Sequence, residues 1–110
     1  MEALTPEALA RARVVVLQDL PIGDTVAARL KTFVEGGGGL VLALGPRASW
    51  PSGASWIPAT LTGAEDRTRG AAAKLSAIDY GHVVFEPFRA PRSGDFATAR
   101  FYGYRALTPA

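Results

Sequence analysis

The chain has 110 residues, 48% hydrophobic and 20% charged, with a net charge of +2 and a pI of about 9.4. These proportions belong to a folded globular protein rather than a disordered or collagen-like one, and the length allows one domain at most, with a thin core. Basic and acidic side chains number five each over residues 1–58 and seven against five over 59–110, an excess too weak to imply a nucleic-acid partner.

From the amino terminus, MEALTPEALARAR carries acidic residues and no apolar signal core, so no secretion signal is expected in it. Thr5, Pro6 and Glu7 predict a short helix ending near Arg13: a hydroxyl cap, proline at the first helical position, and an acid at the positive end of the dipole. VVVLQDLP then predicts a strand over 14–18, buried on both faces and closed by Pro21, with Asp19 and Leu20 just past its carboxyl end. Asp24 or Thr25 is expected to cap a second helix, in which Val26, Leu30, Phe33 and Val34 share one stripe and Arg29, Lys31 and Glu35 face water. Gly36 is expected in the left-handed position that ends this helix, and Leu40 to Leu44 form a second apolar strand. Strand, helix, strand in about 30 residues predicts a parallel crossover unit.

The four glycines of EGGGGLVLALGP stand between that helix and that strand. Phosphate-binding glycine loops run from strand to helix, because free N–H groups and positive dipole lie at a helix amino terminus. Here the order is reversed, so the glycines read as a helix stop and a tight turn into the sheet.

From Gly45 to Gly70 prolines, glycines and serines predict an irregular excursion carrying Trp50 and Trp56, at the sheet edge where such folds place their sites. AAAKLSAID reads equally as strand or short helix. HVVFEPF predicts a turn of helix or an extended piece fixed by Pro87. ATARFYGYRAL predicts an antiparallel or edge strand with Arg100, Tyr102 and Tyr104 on one face and Phe101 and Leu107 on the other. The longest apolar runs, VVVL and LVLAL, are far shorter than the roughly 20 residues of a membrane helix, so the chain itself is expected to be soluble, without membrane contact.

Taken together, VVVLQDLP, LKTFVEGGGGLVLALGP, IPATL, LSAIDYGHVVFEPF and DFATARFYGYRAL resemble the glutamine-amidotransferase-like domain of bacterial aerotolerance-regulator-type membrane proteins. Those proteins usually also carry a membrane segment and a von Willebrand factor A domain. The resemblance covers most of the chain, the glycine turn and the FEPF…DF segment being its most specific parts. It implies an α/β, flavodoxin-like sandwich with parallel core strands near 14–18 and 40–44. The family domain normally has one more strand and helix before VVVL and further strands after YRAL, so the chain is expected to be a middle portion of the domain. Uncovered apolar surface should then make it self-associate or be marginally stable.

Class I amidotransferases attack with a cysteine, and this sequence contains none, which also excludes disulfides and thiolate metal sites. The resemblance without its nucleophile implies a fold reused for binding. Ser49 lies near the end of the second strand, but GPRASWP is not a nucleophile elbow and reads as loop. His82 is the sole histidine; it could pair with Asp79 and, on paper, complete a triad with Ser49, but a histidine after DYG reads as a turn residue bonded locally. One imidazole and scattered carboxylates make no metal site. Asp19 could meet a ligand hydroxyl or a cation at the sheet edge. Arg100, Tyr102 and Tyr104 superficially resemble an RNA-binding face, yet Phe101 stands where that pattern wants glycine. Trp50 and Trp56 either line a protein-binding patch or pin their loop.

The leading expectation is a non-catalytic α/β domain for protein interaction or scaffolding, with no cofactor, whose partners are other protein domains or a second copy and whose parent protein belongs to the bacterial envelope. The alternative is a serine hydrolase or small-ligand enzyme using Ser49, Asp79 and His82.

Overall fold

A computed structural model describes residues 4–89 and 96–110. Asp95, which opens the DF part of the family resemblance, and the first three residues of the amino-terminal stretch lie outside the described residues. The chain is mixed α/β and divides into two compact units, one of residues 1–65 and 104–110, the other of 66–103.

In the first unit, α1 (Pro6–Arg11) starts as its sequence predicts: Ala8 N–H donates to Thr5 Oγ1 at 3.2 Å. Strand β1 (Val14–Gln18) leads to α2 (Asp24–Glu35) and returns through β2 (Gly39–Ala43), which pairs parallel to β1 from Val14 opposite Gly39 to Gln18 opposite Ala43. The expected parallel pair near 14–18 and 40–44 is therefore present. Helix α2 is entered through Gly23 without a side-chain cap, so neither Asp24 nor Thr25 caps it. Asp24 instead occupies the first turn, where its charge favours the dipole.

All four glycine N–H groups are consumed by backbone. Gly36, Gly37 and Gly38 donate to the Thr32, Val34 and Phe33 carbonyls, and Gly39 donates to Arg13. The left-handed residue is Gly37, at φ 97°, rather than Gly36, at φ −78°. Two extra residues are needed to satisfy the last helical carbonyls before the chain reverses. The segment is a helix stop, with no donor left for a phosphate.

Strand β1 departs from the expectation of burial on both faces. Val15 and Leu17 are buried, whereas Val14 and Val16 are exposed. The reason is a count of layers: α2 and α1 both pack on one side, where Leu9, Val15, Leu17, Ile22, Ala27 and Leu30 make the core, and no described element covers the other. On β2 the same alternation leaves Val41 exposed and Leu40 and Leu42 half-buried.

The excursion after β2 is more ordered than its composition predicts. Ser49 forms an isolated parallel bridge to Pro21, Ile22 N–H donates to Ser49 O at 2.8 Å, and Ala48, Ala54 and Ile57 are buried. A strand, β3 (Ala59–Asp66), occupies what was expected to be irregular chain, and it pairs antiparallel with β4 (Gly103–Pro109). The carboxyl-terminal strand therefore begins at 103, and of Arg100, Tyr102 and Tyr104 only Tyr104 belongs to it.

In the second unit, residues 71–79 are neither strand nor helix apart from an antiparallel bridge of Ala73 to Phe101. Glu86–Phe88 is a single 3-10 turn, with Pro87 inside it, and a second such turn spans Phe96–Thr98. Every buried residue described belongs to the first unit.

Candidate functional site

The most constructed part of the first unit is the carboxyl edge of the parallel pair. Asp19 follows β1 directly, in the left-handed region at φ 49°, a position aspartate tolerates better than most residues. Its N–H donates to Ala43 O at 2.8 Å, and its carboxylate turns onto the loop after β2. Oδ1 accepts from Arg47 N–H at 2.7 Å and Ala48 N–H at 3.0 Å, and Oδ2 accepts from Arg47 Nε at 3.4 Å. Partial burial works to raise the Asp19 carboxyl, but the Arg47 N–H and guanidinium together with the Ala48 N–H outweigh it, and the group is held below its ordinary value. Two converging backbone N–H groups form a cradle of the kind that binds anions, and the anion in it is the chain's own.

Gly45 makes this closeness possible. A Cβ there would stand 2.7 Å from Asp19 Oδ1, inside contact distance. From β4, Arg105 reaches the same loop and donates Nη1 to the carbonyls of Gly45 at 3.0 Å, Pro46 at 3.3 Å and Ala48 at 2.9 Å. Its Nε is buried without a hydrogen-bond partner among the described residues. The loop is thus tied through its donors to Asp19 and through its acceptors to Arg105. Arg47 is the group presented outward, its side chain 71% exposed.

A second surface is the open face of the pair. Val16 and Val41 are register partners, Val14 lies one pleat away, and Gly39 and Ala43 complete the β2 side. Val14, Val16 and Val41 are 59%, 63% and 52% exposed. Trp50 and Trp56 are half-buried and pack against the core, which pins their loop.

The residues named for a triad are distributed over both units. Ser49 is exposed in the first. In the second, Asp79 Oδ1 accepts from Gly81 N–H at 2.9 Å, and His82 Nδ1 accepts from Val84 N–H at 3.2 Å. Both groups are thus engaged by neighbouring backbone N–H groups rather than by each other. Arg100 and Tyr102 are exposed, and Tyr102 O accepts from Arg67 N–H. Among the described residues no cluster of three or more His, Asp and Glu could hold a metal ion, and no helix is long and apolar enough to cross a membrane.

Sequence reasoning placed Asp19 at this edge and expected uncovered apolar surface, but missed Arg105 and Gly45 and did not place that surface on the valines of the parallel pair. The faint signal for Arg105 was a lone charge between Tyr104 and Ala106 in an otherwise apolar strand end. For the valines it was the presence of one crossover helix for two strands. Comparison with protein-family models, curated proteins and solved structures finds no match for this chain.

Proposed function

We propose that the chain is a non-catalytic, amidotransferase-like module serving in protein interaction or scaffolding, with the parent protein in a bacterial envelope assembly, and that its partner docks on the open valine face. The β1–α2–β2 crossover supports reading it as part of a flavodoxin-like sandwich. The missing cysteine, and the local engagement of Asp79 and His82, support the non-catalytic half.

One observation carries the reading: Val14, Val16 and Val41 are more than half exposed on a parallel pair. Sheets of this kind are almost always covered on both faces. A single amphipathic helix laid along the two strands would supply the layer that covers such sheets on their second face, so the proposed partner contributes a helix with an apolar stripe.

The test is a photo-crosslinking residue placed at position 16, with position 24 on α2 as control, followed by mapping of the crosslinked peptide. The expected product joins position 16 to an amphipathic helical segment of another protein, and Val16→Lys in the untagged chain abolishes the association. A crosslink to a second copy, or equal yields from both positions, would reject the assignment. A serine-directed fluorophosphonate that labels Ser49 and is blocked by His82→Ala would reject the non-catalytic reading separately.

A further inference from the structure

On the helical side of the first unit, away from the valine face, an open cleft of about 820 Å³ lies between α1 and α2. Leu9, Arg13, Arg29, Thr32 and Phe33 line it together with the turn of Gly36 to Gly38. Its size is that of pockets for small organic molecules, roughly 300 to 1000 Å³, and its lining is mainly apolar with few polar groups, as such pockets require.

Among the described residues of the lining the charge has one sign. Arg13 and Arg29 are on it, and the carboxylates of Glu7, Asp24 and Glu35 are not, Glu35 being paired with Lys31. Arg29 Nη1 donates to Leu4 O at 3.1 Å, which anchors the side chain, and the rest of its donor fork has no partner among the described residues. Arg13 has no side-chain hydrogen bond or ion pair among the described residues. The glycine turn spends its N–H groups on the last carbonyls of α2, so it withdraws acceptors that would repel an anion without offering donors of its own. A methyl group at Gly38 would collide with the Phe33 ring, so glycine lets that ring lie against the backbone as an apolar wall.

We propose that this cleft binds a small organic anion with an apolar body, of the medium-chain carboxylate class, with Arg13 and Arg29 on the carboxylate and Leu9 and Phe33 along the alkyl part. Two guanidinium forks suit a planar carboxylate, and an apolar wall beside them selects against inorganic anions. The site is independent of the valine face and of what docks there.

The experiment titrates the isotope-labelled chain with decanoate and, separately, with decanol, following backbone amide shifts. Decanoate should shift Ala12 and Gly36 to Gly38 saturably and bind at least about tenfold more tightly than decanol, the value of a charge-assisted contact. Arg13→Gln should remove most of that preference while leaving decanol binding and the urea midpoint unchanged. Arg29→Gln, which also releases Leu4, is the second variant, and a folded double variant should bind both ligands alike. The proposal fails if decanoate and decanol bind equally to the unaltered chain, if the preference survives Arg13→Gln, if no saturable shift appears, or if the shifts saturate at Val14, Val16 and Val41, which would mark adsorption to bare apolar surface.

Discussion

Adjacent valines on β1 offer a sharp test of the one-sided sheet. Val15 is 9% exposed within the core cluster, and Val16 is 63% exposed. Threonine keeps the shape of valine and its preference for strands, so Val→Thr exchanges one methyl for a hydroxyl and changes little else. At position 15 that hydroxyl loses water without a hydrogen-bond partner, which costs about 1 to 3 kcal/mol, and the lost methyl adds up to about 1 kcal/mol. We expect Val15→Thr to lower the unfolding free energy by ~2–3 kcal/mol, and Val16→Thr to stay within ~0.5 kcal/mol of the parent. Urea unfolding followed by tryptophan fluorescence reads both, because Trp50 and Trp56 pack against this cluster, and an unchanged slope with denaturant would assign the shift in midpoint to stability. Similar large losses at both positions would refute the reasoning, since they require β1 to be covered on both sides. Neutrality at both would refute it too, by removing β1 from the core.

Leu30→Ala, at a residue 0% exposed, should cost about 2 to 5 kcal/mol, enough to leave so small a domain near its unfolding threshold at 25 °C; a loss below ~1 kcal/mol by the same urea assay would contradict the assigned core. Gly45→Ala should lower the melting temperature by several degrees and broaden the Arg47 and Ala48 amide signals, because the new methyl displaces the Asp19 carboxylate. Asp19→Asn keeps the tolerance for a left-handed backbone and removes the charge, so it should lower stability at pH 7. A depressed folded value stabilises above the ordinary carboxyl value of 3.8 and loses that contribution as pH falls through the folded value. The gap between the two proteins should therefore close in acid, and a gap that persists or widens there would mean that the charge is not what holds the loop. Asp66, likewise held low by the Thr68 hydroxyl and N–H, is present in both proteins and cancels in the difference.

What sequence made readable was local. Thr5, Pro6 and Glu7 encode a helix start within four residues, and the order helix, glycines, apolar run encodes a stop and a turn. That order alone dismissed a phosphate loop, and the backbone agrees, since each glycine N–H has a partner nearby or across the pair. The parallel pairing also followed, because a 12-residue helix between two short apolar runs brings the second run back beside the first in the same direction. The faces of β1 were not readable. VVVL is the pattern of a strand covered twice, and periodicity within five residues carries no information about how many layers the rest of the chain provides.

The loop after β2 shows the same limit from the other side. Its composition of proline, glycine and serine predicts irregular chain, and by backbone geometry it is irregular, yet it is held by groups 28 and 60 residues away in sequence. An aspartate just past a strand is common and an arginine in a terminal strand is common. Only when the parallel pair sets Asp19 beside Gly45, and β4 brings Arg105 onto the Gly45, Pro46 and Ala48 carbonyls, do the two become opposite halves of one clasp. The donors of the loop face a carboxylate and its acceptors face a guanidinium, so neither residue can be replaced by an apolar one without leaving backbone groups of the loop unpaired. That reciprocal arrangement keeps Arg47 at the surface on a fixed support, and it explains why a segment with the composition of a mobile loop is ordered.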